Sequence, residues 1–139
     1  MPVAVVANPK GGVGKTTLAT NLAGYFASQD HAVMLGDTDR QQSSREWLAL
    51  RPETAKPIHT WEISADHIAK PPKGTTHVVL DTPAGLHGWR LTDLVKLSDH
   101  VIVPLQPSMF DILATQTFLR KLADEKAVRH GEVKLGVVG

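Results

Sequence analysis

The sequence predicts an α/β fold, in which a mostly parallel sheet is flanked by helices on both faces. Short apolar runs alternate with longer amphipathic stretches along the whole chain. The runs, such as Val3 to Ala7 and Val101 to Leu105, are apolar at successive positions and not only at every second one. Strands of this kind are buried on both faces, as in a parallel sheet covered by helices. With 139 residues, the chain has the length of one domain, and we expect a single domain over residues 1–139.

The individual elements follow from local patterns. After the first strand, the spacing of one helix face is found at Leu18, Leu22, Tyr25 and Phe26. Strands are expected in chain order at residues 3–7, 32–36, 58–61, 78–80, 101–105 and 134–138, and further helices at about 44–50, 65–69, 88–97 and 110–127. Because the sequence stops on an apolar strand that a parallel sheet normally covers with a helix, we expect the domain to be incomplete at its C-terminal end.

Composition excludes several classes of protein. The chain has no cysteine, which excludes a disulfide scaffold, an iron–sulfur cluster, a thiolate zinc site and a cysteine nucleophile. Fifteen Lys and Arg against fourteen Asp and Glu give a net charge of +1, which excludes a histone-like binder. No apolar run approaches the ~18 residues that span a bilayer, and the N-terminus has no basic leader. A cytoplasmic protein is therefore expected.

The strongest motif lies between the first strand and the first helix, where residues 8–17 read Asn-Pro-Lys-Gly-Gly-Val-Gly-Lys-Thr-Thr. A loop that wraps its backbone N–H groups around a triphosphate needs glycines, and the helix N-terminus behind it stabilises the anion. Lys15 supplies a charge for the β- and γ-phosphates, and the Thr16 hydroxyl is a ligand for Mg²⁺. The motif predicts a phosphate-binding loop of a P-loop NTPase.

Two features distinguish this loop from the common pattern. Pro9 stands where the pattern has glycine, and Lys10 is an additional lysine. In this respect the motif resembles the deviant Walker A box of the ParA/MinD family of P-loop ATPases. The resemblance implies that ATP and Mg²⁺ are the cofactors and that Lys10 reaches the nucleotide of a partner subunit in a dimer. The residues it assigns to nucleotide binding are Lys10, Gly11, Gly12, Val13, Gly14, Lys15, Thr16 and Thr17.

Carboxylates follow two of the predicted strands. Asp37 and Asp39 come after the second strand, and Asp81 ends a later one. Hydrolysis requires a positioned water and a bridging cation, and both tasks call for carboxylates at the sheet edge that carries the loop. By resemblance to the family, Asp81 is a Walker B aspartate that holds Mg²⁺ through a water. Gly85 is similar to a switch residue that senses the γ-phosphate.

The segment from Asp37 to Gln41 is similar to the D-x-D-P-Q box of the same family, with Arg40 in place of proline. The resemblance implies that Asp39 positions the attacking water and that Asp37 supports the metal. The implied catalytic residues are Lys10, Lys15 and Asp39, and the implied metal ligands are Thr16, Asp37 and Asp81.

Other polar residues carry weaker signals. We expect Asp111 to be a helix N-cap, and the seven histidines lack the paired spacing of metal ligands. A mildly basic stretch in the C-terminal part is either a solvated helix face or a contact for DNA phosphates. Its members are Arg120, Lys121, Lys126, Arg129, His130 and Lys134.

Members of the resembled family differ in function, and the sequence narrows the choice. The lack of cysteine excludes the nitrogenase iron protein, and Tyr25, the only tyrosine, argues against a tyrosine autokinase. Because the loop begins at residue 9, no helix-turn-helix domain is expected before it, which resembles the short partition ATPases. The alternatives are a metabolic ATP-dependent synthetase, a membrane-associated division-site ATPase like MinD, or a regulatory module that hydrolyses little ATP.

The expectation is therefore a ParA-like ATPase that forms a homodimer on ATP binding and associates with the nucleoid by binding DNA without sequence preference. A ParB-like or other cargo-bound adaptor would stimulate hydrolysis. The cargo would be a plasmid, a chromosome region or a protein organelle.

Overall fold

The structure is a computed structural model that describes residues 2–8, 14–37, 43–61, 63–64, 67–68, 74–82, 88–106 and 108–138. Its strands are β1 (Val3–Val6), β2 (Val33–Asp37), β3 (Ile58–Trp61), β4 (Ile63–Ser64), β5 (His67–Ile68), β6 (His77–Asp81), β7 (His100–Pro104) and β8 (Lys134–Val138). Six of them form a parallel sheet in the order β3-β2-β6-β1-β7-β8. The predicted α/β fold class is confirmed.

Helices cover both faces of this sheet. They are α1 (Lys15–Ser28), α2 (Ser43–Ala49), α3 (Gly88–Leu97), α4 (Met109–Ala123) and α5 (Lys126–Arg129). On one face α1 and α2 pack over a core that includes Val6, Leu35 and Val79. On the other face α3 and α4 enclose a second core that includes Leu94 and Phe118. Across the described parts of the chain, every helix is too short or too polar to traverse a lipid bilayer.

The buried face of α1 is rotated from the predicted one. Ala19, Ala23 and Ala27 form its centre, with at most 1% of each residue exposed. Leu18, Leu22 and Phe26 pack at the side of this core, and Tyr25 is 60% exposed. Small side chains allow the helix backbone to approach the sheet closely, so the alanines and not the largest residues occupy the contact.

The helix expected at residues 65–69 is wrong where the structure describes that segment. His67 and Ile68 form β5, which pairs antiparallel with β4 through Ile63 opposite Ile68 and Ser64 opposite His67. So short a helix would be marginal, and the β-branched isoleucines favour an extended backbone. Positions 65, 66 and 69 lie outside the described residues.

The long helix expected at 110–127 is divided into α4 and α5. Glu125 between them has an extended backbone, with φ −67° and ψ 136°, and its side chain accepts a hydrogen bond from the Thr92 hydroxyl at 3.0 Å. This contact with α3 stabilises the break. After α5 the chain returns as β8, an edge strand that pairs with β7 along its whole length.

Candidate functional site

The carboxyl ends of three neighbouring strands, β2, β6 and β1, lie together at one edge of the sheet. Asp81 at the end of β6 is the register partner of both Val6 on β1 and Asp37 on β2. Helix α1 begins at Lys15, and eight residues separate it from the end of β1. Ligands of open parallel sheets bind at this edge, which is where the fold places Asp81 at the end of β6.

Gly14 precedes α1 in a left-handed conformation, with φ 92° and ψ 19°. Its carbonyl accepts the first hydrogen bond of the helix, from the Leu18 N–H at 2.8 Å. A side chain at this φ would be strained, although open space surrounds the position. Since Gly14 has no side chain to cap the helix, the first N–H groups of α1 are suited to bind an anion.

A short hydrogen bond joins the start of α1 to the end of β6. The Thr16 hydroxyl donates to Oδ2 of Asp81 at 2.7 Å, across 65 positions of sequence. Asp81 is 1% exposed, so its carboxylate is buried at this edge of the sheet. A hydroxyl and a carboxylate in contact are hard oxygen donors of the kind that Mg²⁺ takes, and the pair therefore fits the predicted cation.

Lys15 is also buried, with 7% of its surface exposed. Lysine is almost never buried at this level unless its charge is compensated. Its position at the first residue of α1 brings a cation to the same end of the helix as Thr16. Thr17, the next residue, is exposed.

For Asp37 the structure describes the backbone and not the side chain. That backbone lies beside the backbone of Asp81 in the sheet, as expected if both residues belong to one site. The roles assigned to the remaining residues stay predictions, because these positions lie outside the described residues: Lys10, Gly11, Gly12, Val13, Asp39, Arg40 and Gly85.

Two buried polar residues at the same edge were not singled out from the sequence. The Asn8 side-chain amide donates to the Pro104 carbonyl at 2.7 Å and to the Thr115 hydroxyl at 3.1 Å. The Thr82 hydroxyl donates to the Val6 carbonyl at 2.7 Å. Asn8 is the second residue after β1 and Thr82 is the first after β6. A polar residue that ends an apolar run beside a motif is the signal that could have identified them.

The expectation that Asp111 is a helix N-cap is wrong by three residues. Ser108 is the N-cap of α4, and its hydroxyl accepts the Asp111 N–H at 3.2 Å. The same hydroxyl donates to Oδ2 of Asp111 at 2.6 Å. Asp111 therefore occupies the third helical position and completes a reciprocal cap with Ser108.

A histidine pair lies at the opposite, amino-terminal edge of the sheet. The rings of His31 and His77 stack at 3.9 Å between centroids, and Phe26 contacts His77 at 4.6 Å. Burial, with a smaller contribution from the charge of His31, lowers the pKa of His77. Among the residues whose placement is described, no three His, Cys, Asp or Glu come together as a candidate metal site.

Comparison with known proteins agrees with this geometry. The family described as "CobQ/CobB/MinD/ParA nucleotide binding domain" matches residues 4–138. A protein of Gloeobacter kilaueensis named "Maintenance of carboxysome distribution protein A" is 34% identical over 113 residues, which are 79% of this chain and 51% of that protein. The chain thus spans about half the length of the curated relatives it matches.

Solved structures show the same fold. A plasmid partition protein from Borrelia burgdorferi has a TM-score of 0.76 at 15% identity, covering 98% of this chain and 76% of that one. The complex of Cyanothece McdA with ATP has a TM-score of 0.74 at 16% identity, covering 99% and 69%. With the phosphate-loop motif, the parallel sheet and the family match in agreement, the chain belongs to the ParA/MinD family of nucleotide-binding domains.

Proposed function

We propose that this chain is a ParA-like ATPase that binds ATP with Mg²⁺ and positions a cargo in the cell. The observation that carries the proposal is the 2.7 Å hydrogen bond between Thr16 and Asp81. It joins the predicted Mg²⁺ ligand of the phosphate loop to the predicted Walker B aspartate. Thr16 lies two residues after Gly14, whose backbone has a left-handed conformation. A nucleotide-binding site requires this combination of a helix N-terminus, a lysine and hard oxygen donors.

In this proposal the phosphates bind to the loop N–H groups of Gly11 to Gly14 and to Lys15. Thr16 and Asp81 would hold Mg²⁺, with Asp37 in support, and the bound cation would supply positive charge beside the phosphate oxygens. Asp39 accepts a hydrogen bond from the attacking water and orients it. The ATP complex of Cyanothece McdA and the Mg²⁺ complexes of a Mycobacterium smegmatis synthase support ATP and Mg²⁺ as the ligands.

The proposed switch is a homodimer that forms when Lys10 of one subunit reaches the nucleotide of the other. A dimer of this kind distinguishes ATP from ADP because only ATP supplies the γ-phosphate contact. The proposal includes a single domain over residues 1–139, a cytoplasmic and nucleoid-associated location, and an adaptor on the cargo that stimulates hydrolysis. The relative named for carboxysome distribution supports a protein organelle as one of the cargo classes.

Binding to DNA without sequence preference requires cations that contact phosphates. Arg120 and Lys121 at the end of α4 are exposed, as are Lys126 and Arg129 on α5 and Lys134 on β8. The exposure of these five cations supports the DNA-binding part of the proposal.

The experiment is duplex DNA binding by the 139-residue chain at fixed salt, with ATP, with ADP and without nucleotide, on two unrelated sequences. We expect binding to both duplexes only with ATP, and loss of binding in Lys10→Ala. ATP binding by the same samples, measured by calorimetry, tests the nucleotide site independently of DNA. If the chain did not bind ATP in the presence of Mg²⁺, the proposal that it is an ATPase would be wrong.

A metabolic ATP-dependent synthetase is the second candidate. The fold similarity to cobyrinic acid a,c-diamide synthase from Mycobacterium smegmatis, with a TM-score of 0.70 at 20% identity, supports it. The same experiment separates the two, because a synthetase would bind ATP but would show no nucleotide-dependent DNA binding. That result would direct the search to a small-molecule substrate.

A further inference from the structure

A buried polar contact links the start of the phosphate loop to helix α4, on the other face of the sheet from α1. Asn8 is 1% exposed and Thr115 is 2% exposed. The Asn8 Nδ2 group donates to the Thr115 Oγ1 at 3.1 Å and to the Pro104 carbonyl at 2.7 Å. One amide group thus connects residues that are 96 and 107 positions away in sequence.

The contact fixes one of the two ends of the loop. Residues 9–13 follow Asn8 in sequence, and Gly14 at the other end is fixed by the first hydrogen bond of α1. Where the Asn8 side chain is held therefore affects the separation between these two ends, Asn8 and Gly14. Errors of about 1 Å in the position of binding groups are costly, so an anchor at this place affects nucleotide binding directly.

The partners of Asn8 lie in regular secondary structure. Pro104 ends β7, and Thr115 lies in the middle of α4, whose N-terminus is closed by the Ser108–Asp111 cap. Hydrogen bonds between buried groups are directional, and a buried donor that loses its acceptor is destabilised. A displacement of Asn8 is therefore transmitted to α4 and not absorbed by solvent.

We infer that Asn8 is a positioning residue that holds the start of the phosphate loop through Thr115, so that nucleotide binding and the stability of α4 are coupled. The inference rests on the proposed nucleotide site but assigns a role to Asn8 and Thr115, to which the sequence motifs gave none. Coupling of this type is reciprocal: if the ordered form of α4 binds nucleotide more tightly by some factor, nucleotide binding favours the ordered form of α4 by the same factor.

The test uses two variants of Thr115 that differ in one group. Thr115→Val keeps the shape of the side chain and removes the hydroxyl, whereas Thr115→Ser keeps the hydroxyl and removes the methyl group. Nucleotide affinity is measured by calorimetry, and the amide hydrogen exchange of α4 is measured with and without ATP–Mg²⁺. Circular dichroism and a thermal transition for each variant establish that it is folded at the temperature of the experiment.

We expect Thr115→Val to bind nucleotide about three- to tenfold more weakly, the loss of one buried hydrogen bond. The wild-type chain and Thr115→Ser should show slower exchange in α4 on nucleotide binding, and Thr115→Val should not. A merely structural role would lower thermal stability in both variants without this difference. Asn8→Ala provides a second route, since adding Thr115→Val to it should cause no further loss of affinity.

The possible failures are distinguishable. If the wild-type chain does not bind nucleotide, the proposed function is wrong and the inference fails with it. If the wild-type chain binds nucleotide but α4 exchange is unchanged, or if Thr115→Val behaves like Thr115→Ser, only the inference is overturned.

Discussion

Thr16 and Asp81 show how single residues prepare a site for its ligand. Their hydrogen bond brings a hydroxyl and a carboxylate to 2.7 Å at the buried end of β6. Oxygen donors that already lie together need less reordering when a cation binds, and a preorganised site binds more tightly for that reason. The same contact explains why this threonine, at the second position of α1, has a role that alanine cannot fill.

We expect Thr16→Ala to weaken Mg²⁺-dependent ATP binding at least about tenfold, the loss of a hydrogen bond or ligand to a charged group. Thr16→Ser retains the hydroxyl and should bind within about twofold of the wild-type chain. Calorimetric titrations with and without Mg²⁺ measure both. Equal affinities for the alanine and serine variants would contradict the role of the hydroxyl.

His77 gives the chain a pH-dependent contribution to stability. Burial lowers its pKa below the usual 6.5, and the charges of His31 and the N-terminal amino group lower it further. Protonation is therefore more favourable in the unfolded chain than in the folded one. The stability that the neutral His77 ring contributes is fully present above about pH 6.5. It is lost as the pH falls through the lower pKa that His77 has in the folded chain.

The measurement is the urea midpoint of unfolding at several pH values between about 7.5 and 5. The wild-type midpoint should fall more steeply on acidification than that of His77→Gln, which has no titrating ring at this position. The difference between the two profiles therefore reports on the stacked pair of His31 and His77, and the remaining histidines affect both proteins alike. Parallel profiles would show that the stacked pair has no effect on stability.

At the scale of elements, the patterns that predicted the strands were accurate for a physical reason. A strand buried on both faces must be apolar throughout, and the run predicted at 78–80 lies within the buried strand β6. The segments at 58–61 and 134–138 were also found with their observed bounds, although they end the sheet and β8 is mostly exposed. The buried face of α1 was misjudged because size is a poor guide where a helix must approach a sheet. Ala19, Ala23 and Ala27 are small, and their importance comes from the closeness of α1 to the sheet.

Ala23→Leu is expected to destabilise the fold by about 1–3 kcal/mol, because added methylenes do not fit a closely packed contact. Ala23 is fully buried on the inner side of α1, whereas Ala49 on α2 is exposed. The matched control Ala49→Leu should change the free energy of unfolding by less than about 0.5 kcal/mol. Urea denaturation measures both, and similar values would indicate that α1 does not pack through its alanines.

The cap of α4 permits a second test at this scale. Ser108→Ala removes the oxygen that accepts the Asp111 N–H, and such a change costs about 1 kcal/mol of stability. Ser108→Thr retains a hydroxyl and should recover most of the loss. If thermal unfolding of the alanine and threonine variants were the same, Ser108 would not act as the cap.

For the whole molecule, the site depends on strand order more than on any one motif. The ends of β1, β6 and β2 lie side by side because these strands are neighbours in the sheet, and strand-end aspartates predicted this from the sequence. The contact between Asn8 and Thr115 could not be predicted, because 107 positions separate them and Thr115 belongs to no motif. Local rules identify the groups that bind a ligand, whereas the groups that hold them in place depend on the complete fold.

The cycle proposed for the whole molecule makes hydrolysis, and not ATP binding, the step that ends DNA binding. Asp39→Ala should therefore bind ATP within about threefold of the wild-type chain and lose at least about a hundredfold in turnover, the contribution of a residue that positions or activates water. It should also stay on duplex DNA after excess ATP is diluted.

Asp93→Ala, at an exposed position on α3, is the matched control and should hydrolyse ATP normally. If turnover in Asp39→Ala equalled that of the wild-type chain, the chain would be a nucleotide-binding module without a catalytic role for Asp39. Release would then have to come from nucleotide dissociation.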